Sequence, residues 1–246
     1  MTISLTSSCN KACYYCPTKK HHKPVDYKFP WLSKDPNEPI DESKRLKINA
    51  ITAKDFFRWL DYYRSILDPR EWLVEITGGE PGLHPEIYEI ILGLAERGYR
   101  GIIKTNGSIY IIKTKSFPLI AAWHEGEGFP ENYDQILIIK NPKDNWREKV
   151  DYCKENKIPY KTVLFDERAI NGKVFDKALL PFHSFTGCLH INSMGQFSMC
   201  SRIAPKENDN IFDMAHPLIF DTISKECPKC KNLTDAEMFL TDYITF

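Results

Sequence analysis

Ile3-Ser4-Leu5-Thr6-Ser7-Ser8-Cys9-Asn10-Lys11-Ala12-Cys13-Tyr14-Tyr15-Cys16 stands almost at the start of the chain. The run from Ile3 reads as a β-strand, which places the three thiols in the loop leaving its end. Thiolates are the usual ligands of iron–sulfur clusters. Three close thiolates can hold three irons of a [4Fe–4S] cluster and leave the fourth iron open to a substrate or a second cofactor. A zinc or structural-iron loop is the competing use of the same residues.

Further along, apolar residues alternate between two periods. Thr52 caps a helix with Asp55 three residues on, and Phe56, Leu60, Tyr63 and Leu67 follow at helical spacing up to Asp68-Pro69. Glu71 to Ile76 is a strand ending in Thr77-Gly78-Gly79-Glu80-Pro81. Glycines there permit close backbone approach to a ligand, and the carboxylate can receive an ammonium group. Pro85 starts a helix whose stripe is Ile87, Ile90, Ile91, Leu94 and Ala95, stopped at Gly98. Gly101 to Thr105 is the next strand, ending in Asn106-Gly107-Ser108. Ser116 to Trp123 reads as a short helix. His124, Glu125 and Glu127 then form a loop whose imidazole and carboxylates could shuttle protons. Tyr133 to Ile139 is a strand, and Asn145 caps a helix that carries Trp146, Val150 and Cys153 on one face. Cys153 therefore reads as a buried thiol with no ligand role. Tyr160 to Phe165 is a further strand.

Strands alternating with helices imply parallel βαβ units, so the fold class is α/β. Five strands are legible and a sixth is not. Ligands of such folds gather at the carboxyl ends of the strands, where all three loops fall.

The CxxxCxxC spacing, with Tyr15 before its last cysteine, and Gly78-Gly79-Glu80-Pro81 about sixty residues on at the end of a second strand, together resemble the radical S-adenosylmethionine (radical SAM) family. That resemblance implies a partial (β/α)6 barrel. It implies that Cys9, Cys13 and Cys16 hold a [4Fe–4S] cluster whose open iron is chelated by the amino and carboxylate groups of SAM. An electron from the cluster would cleave SAM to methionine and a 5′-deoxyadenosyl radical, which takes a hydrogen from a substrate C–H bond. By the same resemblance Tyr15 flanks the adenine of SAM, and Gly78, Gly79 and Glu80 bind its methionine end. Asn106 and Ser108 could meet its carboxylate or ribose, though an ordinary Asn-Gly turn would look the same. A reductant such as flavodoxin or ferredoxin is the implied electron donor.

Past about Leu179 the alternation stops. Cys188 is followed by a hairpin pattern around Gly195, then by Cys200, and later by Cys227-Pro-Lys-Cys230. Four thiols make a complete tetrahedral site for zinc or an iron–sulfur cluster. The Gly195-to-Cys200 spacing with the flanking cysteines resembles the twitch and SPASM auxiliary-cluster domains. By that resemblance Cys188, Cys200, Cys227 and Cys230 hold an auxiliary [4Fe–4S] cluster. The expected division is a partial barrel over 1–180 and a twitch-like domain over 181–246.

Composition narrows the partners. The chain has 246 residues, 42% hydrophobic and 27% charged, which suits one soluble domain, or one domain with a small appendage. Eight cysteines without an export signal point to metal or redox use in the cytoplasm, not to a disulfide framework. Lys+Arg and Asp+Glu both number 33, so no global charge draws the chain to nucleic acid. The Lys19-Lys20-His21-His22-Lys23 run, in a loop from Pro17 to Asn49 that could cover the site, keeps a nucleic acid or nucleotide substrate open. No apolar run is long enough for a membrane. The first strand begins almost at residue 1, so a peptide-recognition domain before it would have to be a separate protein. This tilts the substrate from a peptide towards a small molecule. The alternative to an enzyme is a non-catalytic electron carrier or a zinc-stabilised binding module.

Overall fold

A computed structural model describes residues 1–11, 23–24, 51–124, 128–140, 143–164, 189–198 and 211–212. Its strands are β1 (Thr2–Ser4), β2 (Ser8–Cys9), β3 (Lys23–Pro24), β4 (Leu73–Thr77), β5 (Arg100–Thr105), β6 (Leu119–Ala122), β7 (Gln135–Lys140), β8 (Tyr160–Leu164), β9 (His190–Ile191) and β10 (Phe197–Ser198). Its described helices are α1 (Ala53–Tyr62), α2 (Ile87–Glu96) and α3 (Trp146–Glu155).

One sheet runs in the order β10-β9-β1-β4-β5-β6-β7-β8. Every neighbouring pair from β1 to β8 is parallel. Six parallel strands in this order are what a partial (β/α)6 barrel requires. β9 also runs parallel to β1 and turns into the antiparallel β10. The expected hairpin around Gly195 is thus present, and it is hydrogen-bonded to the sheet at the free side of β1. Gly195 turns it with a φ of +77°. β2 and β3 pair separately, beyond the end of β1.

The missing sixth strand is β6. The sequence suggests a helix over 116–123, and the structure corrects it. Leu119 and Ala121 are buried on one face and Ile120 on the other. A four-residue apolar run buried on both faces suits an interior parallel strand, and periodicity cannot distinguish that from a helical stripe over so short a span.

The helices cover one face of the sheet. Ile3, Leu5, Val74, Ile76 and Ile103 pack with Phe56, Leu60, Ile90 and Leu94 in the main core. Ile136 and Ile138 pack with Val150 and Cys153, so Cys153 is a core thiol, its pKa raised by burial. Residues at alternate positions of the same strands, Leu73, Ile102, Ile120 and Leu137, form a separate cluster on the opposite face. α1 begins as the sequence suggests: Thr52 accepts from Asp55 N at 3.1 Å and donates to its carboxylate at 2.7 Å. Glu86, ahead of α2, adds a second anchor by accepting from Ala53 N at 2.6 Å. The helix ends at Tyr62, earlier than Asp68, and Tyr63 and Leu67 stay buried in the turns that follow. No helix among the described residues is long and apolar enough to cross a membrane.

Candidate functional site

The carboxyl ends of β1, β4 and β5 meet at one edge, and backbone hydrogen bonds hold them there. Leu5 N donates to Thr77 O at 2.9 Å, Gly79 N to Thr6 O at 2.7 Å, and Glu80 N to Ser8 O at 2.8 Å. The Gly78-Gly79-Glu80 segment therefore lies alongside the chain that delivers Cys9. This explains the glycines physically. A Cβ on Gly79 would stand 2.0 Å from Ser8 O, and one on Gly78, whose φ is +141°, 2.6 Å from Thr6 O. The close approach they permit is, first of all, that of the cysteine loop.

Glu80 is fully buried and turned inward. Its Oε1 accepts from Gly82 N at 3.0 Å and Thr105 Oγ1 at 2.7 Å, and its Oε2 accepts from Asn106 N at 2.7 Å. Burial pushes its carboxyl above the usual range, opposed by the Asn106 and Gly82 N–H groups, the Thr105 hydroxyl and the Lys11 charge. The carboxylate thus ties β4 to β5. With three donors of about four acceptor positions filled, one remains for a further donor.

Asn106 joins the two loops from the other side. Its Nδ2 donates to Asn10 Oδ1 at 2.8 Å and lies 4.0 Å from Cys9 Sγ. Its Oδ1 accepts from Ser108 N at 3.0 Å and from the Ser108 hydroxyl. Asn10 Nδ2 returns to Ser108 Oγ at 2.7 Å. Cys9, buried and in no disulfide, stands at the centre of this arrangement. An amide N–H directed at a thiolate stabilises its negative charge, which suits a cluster ligand.

Cys9, Gly78, Gly79, Glu80, Asn106 and Ser108 are therefore brought together. Cys13, Tyr15, Cys16, Cys188, Cys200, Cys227 and Cys230 lie outside the described residues, as do Lys19–His22, Glu125 and Glu127. His124 follows the end of β6. Six of the seven expected thiol ligands being outside, no metal-sized group of ligands stands among the described residues. Sequence reasoning missed Thr6, Asn10 and Thr105. Asn10 carried a usable signal, since it is the first residue after Cys9. Thr6 and Thr105 carried none.

A family model, the Radical SAM superfamily, matches residues 3–166, which span β1 to β8. The chain belongs to the radical SAM superfamily. Members of that superfamily are enzymes that bind SAM and an iron–sulfur cluster. One curated radical SAM relative, the AdoMet-dependent heme synthase of Nitratidesulfovibrio vulgaris (strain Hildenborough), is 26% identical over 105 residues, 43% of this chain and 22% of that protein. Among solved structures, Streptococcus suis SuiB bound to S-adenosylmethionine has a TM-score of 0.55 at 18% identity, covering 93% of this chain and 65% of SuiB. SuiB bound to the precursor peptide SuiA gives 0.54 at 16%, over 90% of this chain and 65% of that one. The likeness to SuiB is one of fold. This radical SAM chain spans about a fifth of the curated relative and just under two thirds of SuiB.

Proposed function

We propose that this chain is a radical SAM enzyme that abstracts hydrogen from a C–H bond of a peptide or small molecule. Cys9, Cys13 and Cys16 would hold the cluster, and the Gly78–Glu80 edge with Asn106 and Ser108 would receive SAM. The observation that carries this is the hydrogen-bonded seam that ties Gly79 and Glu80 to Thr6 and Ser8, one residue before Cys9. It makes the thiol loop and the SAM motif one rigid edge. A reduced cluster bound there would supply the electron that splits SAM into methionine and a 5′-deoxyadenosyl radical. The chain's own part is positional. Gly78 and Gly79 keep side chains out of the seam, Glu80 locks β5 against β4, and Asn106 orients Asn10 and directs an N–H at Cys9.

Cys188, Cys200, Cys227 and Cys230 would hold an auxiliary [4Fe–4S] cluster in a twitch-like region from about residue 181. What supports this is the thiol spacing and the hairpin, since Leu189, next in sequence to Cys188, accepts from Thr2 N at 2.9 Å. The chain after Cys188 thus runs beside the strand that leads to Cys9. That cluster would pass electrons to or from the substrate, and flavodoxin or ferredoxin would reduce the catalytic one. Support for a peptide substrate is the likeness to SuiB, one of whose structures holds a precursor peptide. A cytoplasmic location goes with these oxygen-sensitive groups.

The test is anaerobic reconstitution, counting iron and sulfide, then assaying 5′-deoxyadenosine with SAM and reductant. About eight irons per chain with cleavage support two four-iron clusters. Cys13→Ala should abolish cleavage, and cleavage surviving that change would overturn the assignment. About four irons plus bound zinc would remove the auxiliary cluster and keep the enzyme.

A further inference from the structure

Among the described residues, the face of the sheet turned away from the helices is not packed like a closed barrel. Interiors of complete (β/α)8 barrels are filled by branched apolar side chains. Among the described residues, Leu73, Ile102, Ile120 and Leu137 fill only part of that face. Residues sharing it by alternation include Ser4 on β1, Glu75 on β4, Lys104 on β5, Gln135 on β7 and His190 on β9. Ser4 Oγ and His190 Nε2 lie 3.1 Å apart. Glu75 Oε1 and Lys104 Nζ lie 3.0 Å apart, with side chains 24% and 25% exposed. Gln135 is set across β6 from Lys104, both residues pairing with Ile120. Its Oε1 is buried without a hydrogen-bond partner among the described residues.

A buried acceptor without a donor costs stability, and a retained one calls for an explanation. Charged side chains in mid-strand are costly as well, unless paired or facing a wet chamber. Both observations fit a face that is completed by a ligand. Its chemistry is balanced. Glu75 cancels Lys104, and burial lowers the His190 pKa below its usual 6.5, so the ring is neutral at pH 7. A phosphate would find no net positive charge there. A carboxamide such as Gln135 presents the same donor and acceptor pair as a peptide bond. Glu75 stands three residues before Gly78, roughly 10 Å along the strand at about 3.3 Å per residue. That is the reach of about three extended amino-acid residues lying beneath the SAM edge.

We propose that, on this face, Gln135 with Glu75 and Lys104 receives the amide groups of a peptide segment. The proposal rests on the radical SAM reading for its chemistry and on the sheet's polar face for its recognition.

The test uses the reconstituted full chain and a pool of N-acetylated, C-amidated random hexapeptides carrying fluorescein, with binding read by anisotropy. A second readout is 5′-deoxyadenosine formed with and without the pool. Gln135→Met keeps the volume and removes the orphaned acceptor. It should weaken pool binding about tenfold and leave the peptide-free Tm equal or higher. Lys104→Met, a second variant on another strand, should weaken binding similarly. Undetectable binding of the pool to wild-type protein overturns the proposal, as does unchanged binding by Gln135→Met. A lowered Tm for Gln135→Met also overturns it, because the side chain would then serve the fold. Lys104-dependent binding of a dT10 oligonucleotide or ATP in place of the peptides would replace it with a phosphate-bearing substrate. Gln135-dependent peptide binding without any SAM cleavage would uphold the peptide site and sink the enzyme reading instead.

Discussion

Asn106 Nδ2 lies 4.0 Å from Cys9 Sγ and 2.8 Å from Asn10 Oδ1, so the end of β5 steers the thiol that ends β2. Hydrogen bonds to cluster sulfurs are one determinant of iron–sulfur potentials. Asn106→Ala removes this donor but keeps the backbone N–H that anchors Glu80. The cluster potential should become more negative and SAM cleavage should slow at least tenfold, while iron content holds. An EPR-monitored redox titration beside the 5′-deoxyadenosine assay checks this.

Gly79→Ala should open the seam. Its Cβ would meet Ser8 O at 2.0 Å and Cys9 Cβ at 3.1 Å, so one of the two loops must move. The expected cost is about 1–3 kcal/mol, and cleavage should fall below detection. Gly98→Ala serves as the comparison. Its added Cβ meets nothing closer than 3.8 Å, although its φ is +84°. It should lose stability but retain cleavage per bound cluster.

Glu80→Gln leaves one of three donors facing an NH2 group. The loss should be about 1–3 kcal/mol, read as a Tm decrease of a few degrees. The sign of the pH effect follows from burial. The Glu80 carboxyl is raised above 4.5, so ionisation is less favourable in the folded chain than in the unfolded one. Its stabilising contribution is full below pH 4.5 and declines as pH rises through the folded value. The gap between wild type and Glu80→Gln should therefore widen on acidification from neutral pH.

Asp68 titrates the opposite way. Arg70 holds its carboxyl down at about 2, from an ordinary 3.8, through side-chain and backbone hydrogen bonds. The stability this adds is present above about pH 4 and disappears as pH falls to 2. Wild type and Asp68→Asn should differ by a constant Tm offset from pH 7 to about 4, and that offset should close by pH 2.

Lys149 and Asp144 form a buried pair, 2.6 Å apart with both side chains 5% exposed, and Lys149 also donates to Trp123 O at 3.2 Å. Lys149→Met leaves a buried carboxylate alone and should cost about 3–5 kcal/mol. Lys149→Met with Asp144→Leu should recover most of that, as chemical denaturation of the two variants would show.

Local patterns in the chain carry much of the fold. Thr52 with Asp55, the stripe from Ile87 to Leu94, and the strands at 73–77, 100–105, 135–140 and 160–164 follow from local period and capping, because one-sided burial imposes itself on neighbouring residues. Cys9, Gly78, Gly79 and Glu80 are legible because their chemistry depends on spacing along the chain. β6 is not, since Leu119 to Ala122 are too few to show a period, and their strand state comes from Ile103 and Ile136 on either side. The inward turn of Glu80 is not legible either: two of its three donors, Thr105 and Asn106, come from the end of another strand. The same holds for the reason behind Gly79, which is the carbonyl of Ser8 seventy-one residues earlier. Residue types and spacing thus determined the family. Tertiary structure decided which polar groups meet across strands, because hydrogen bonds between distant segments exist only once the sheet has set their register.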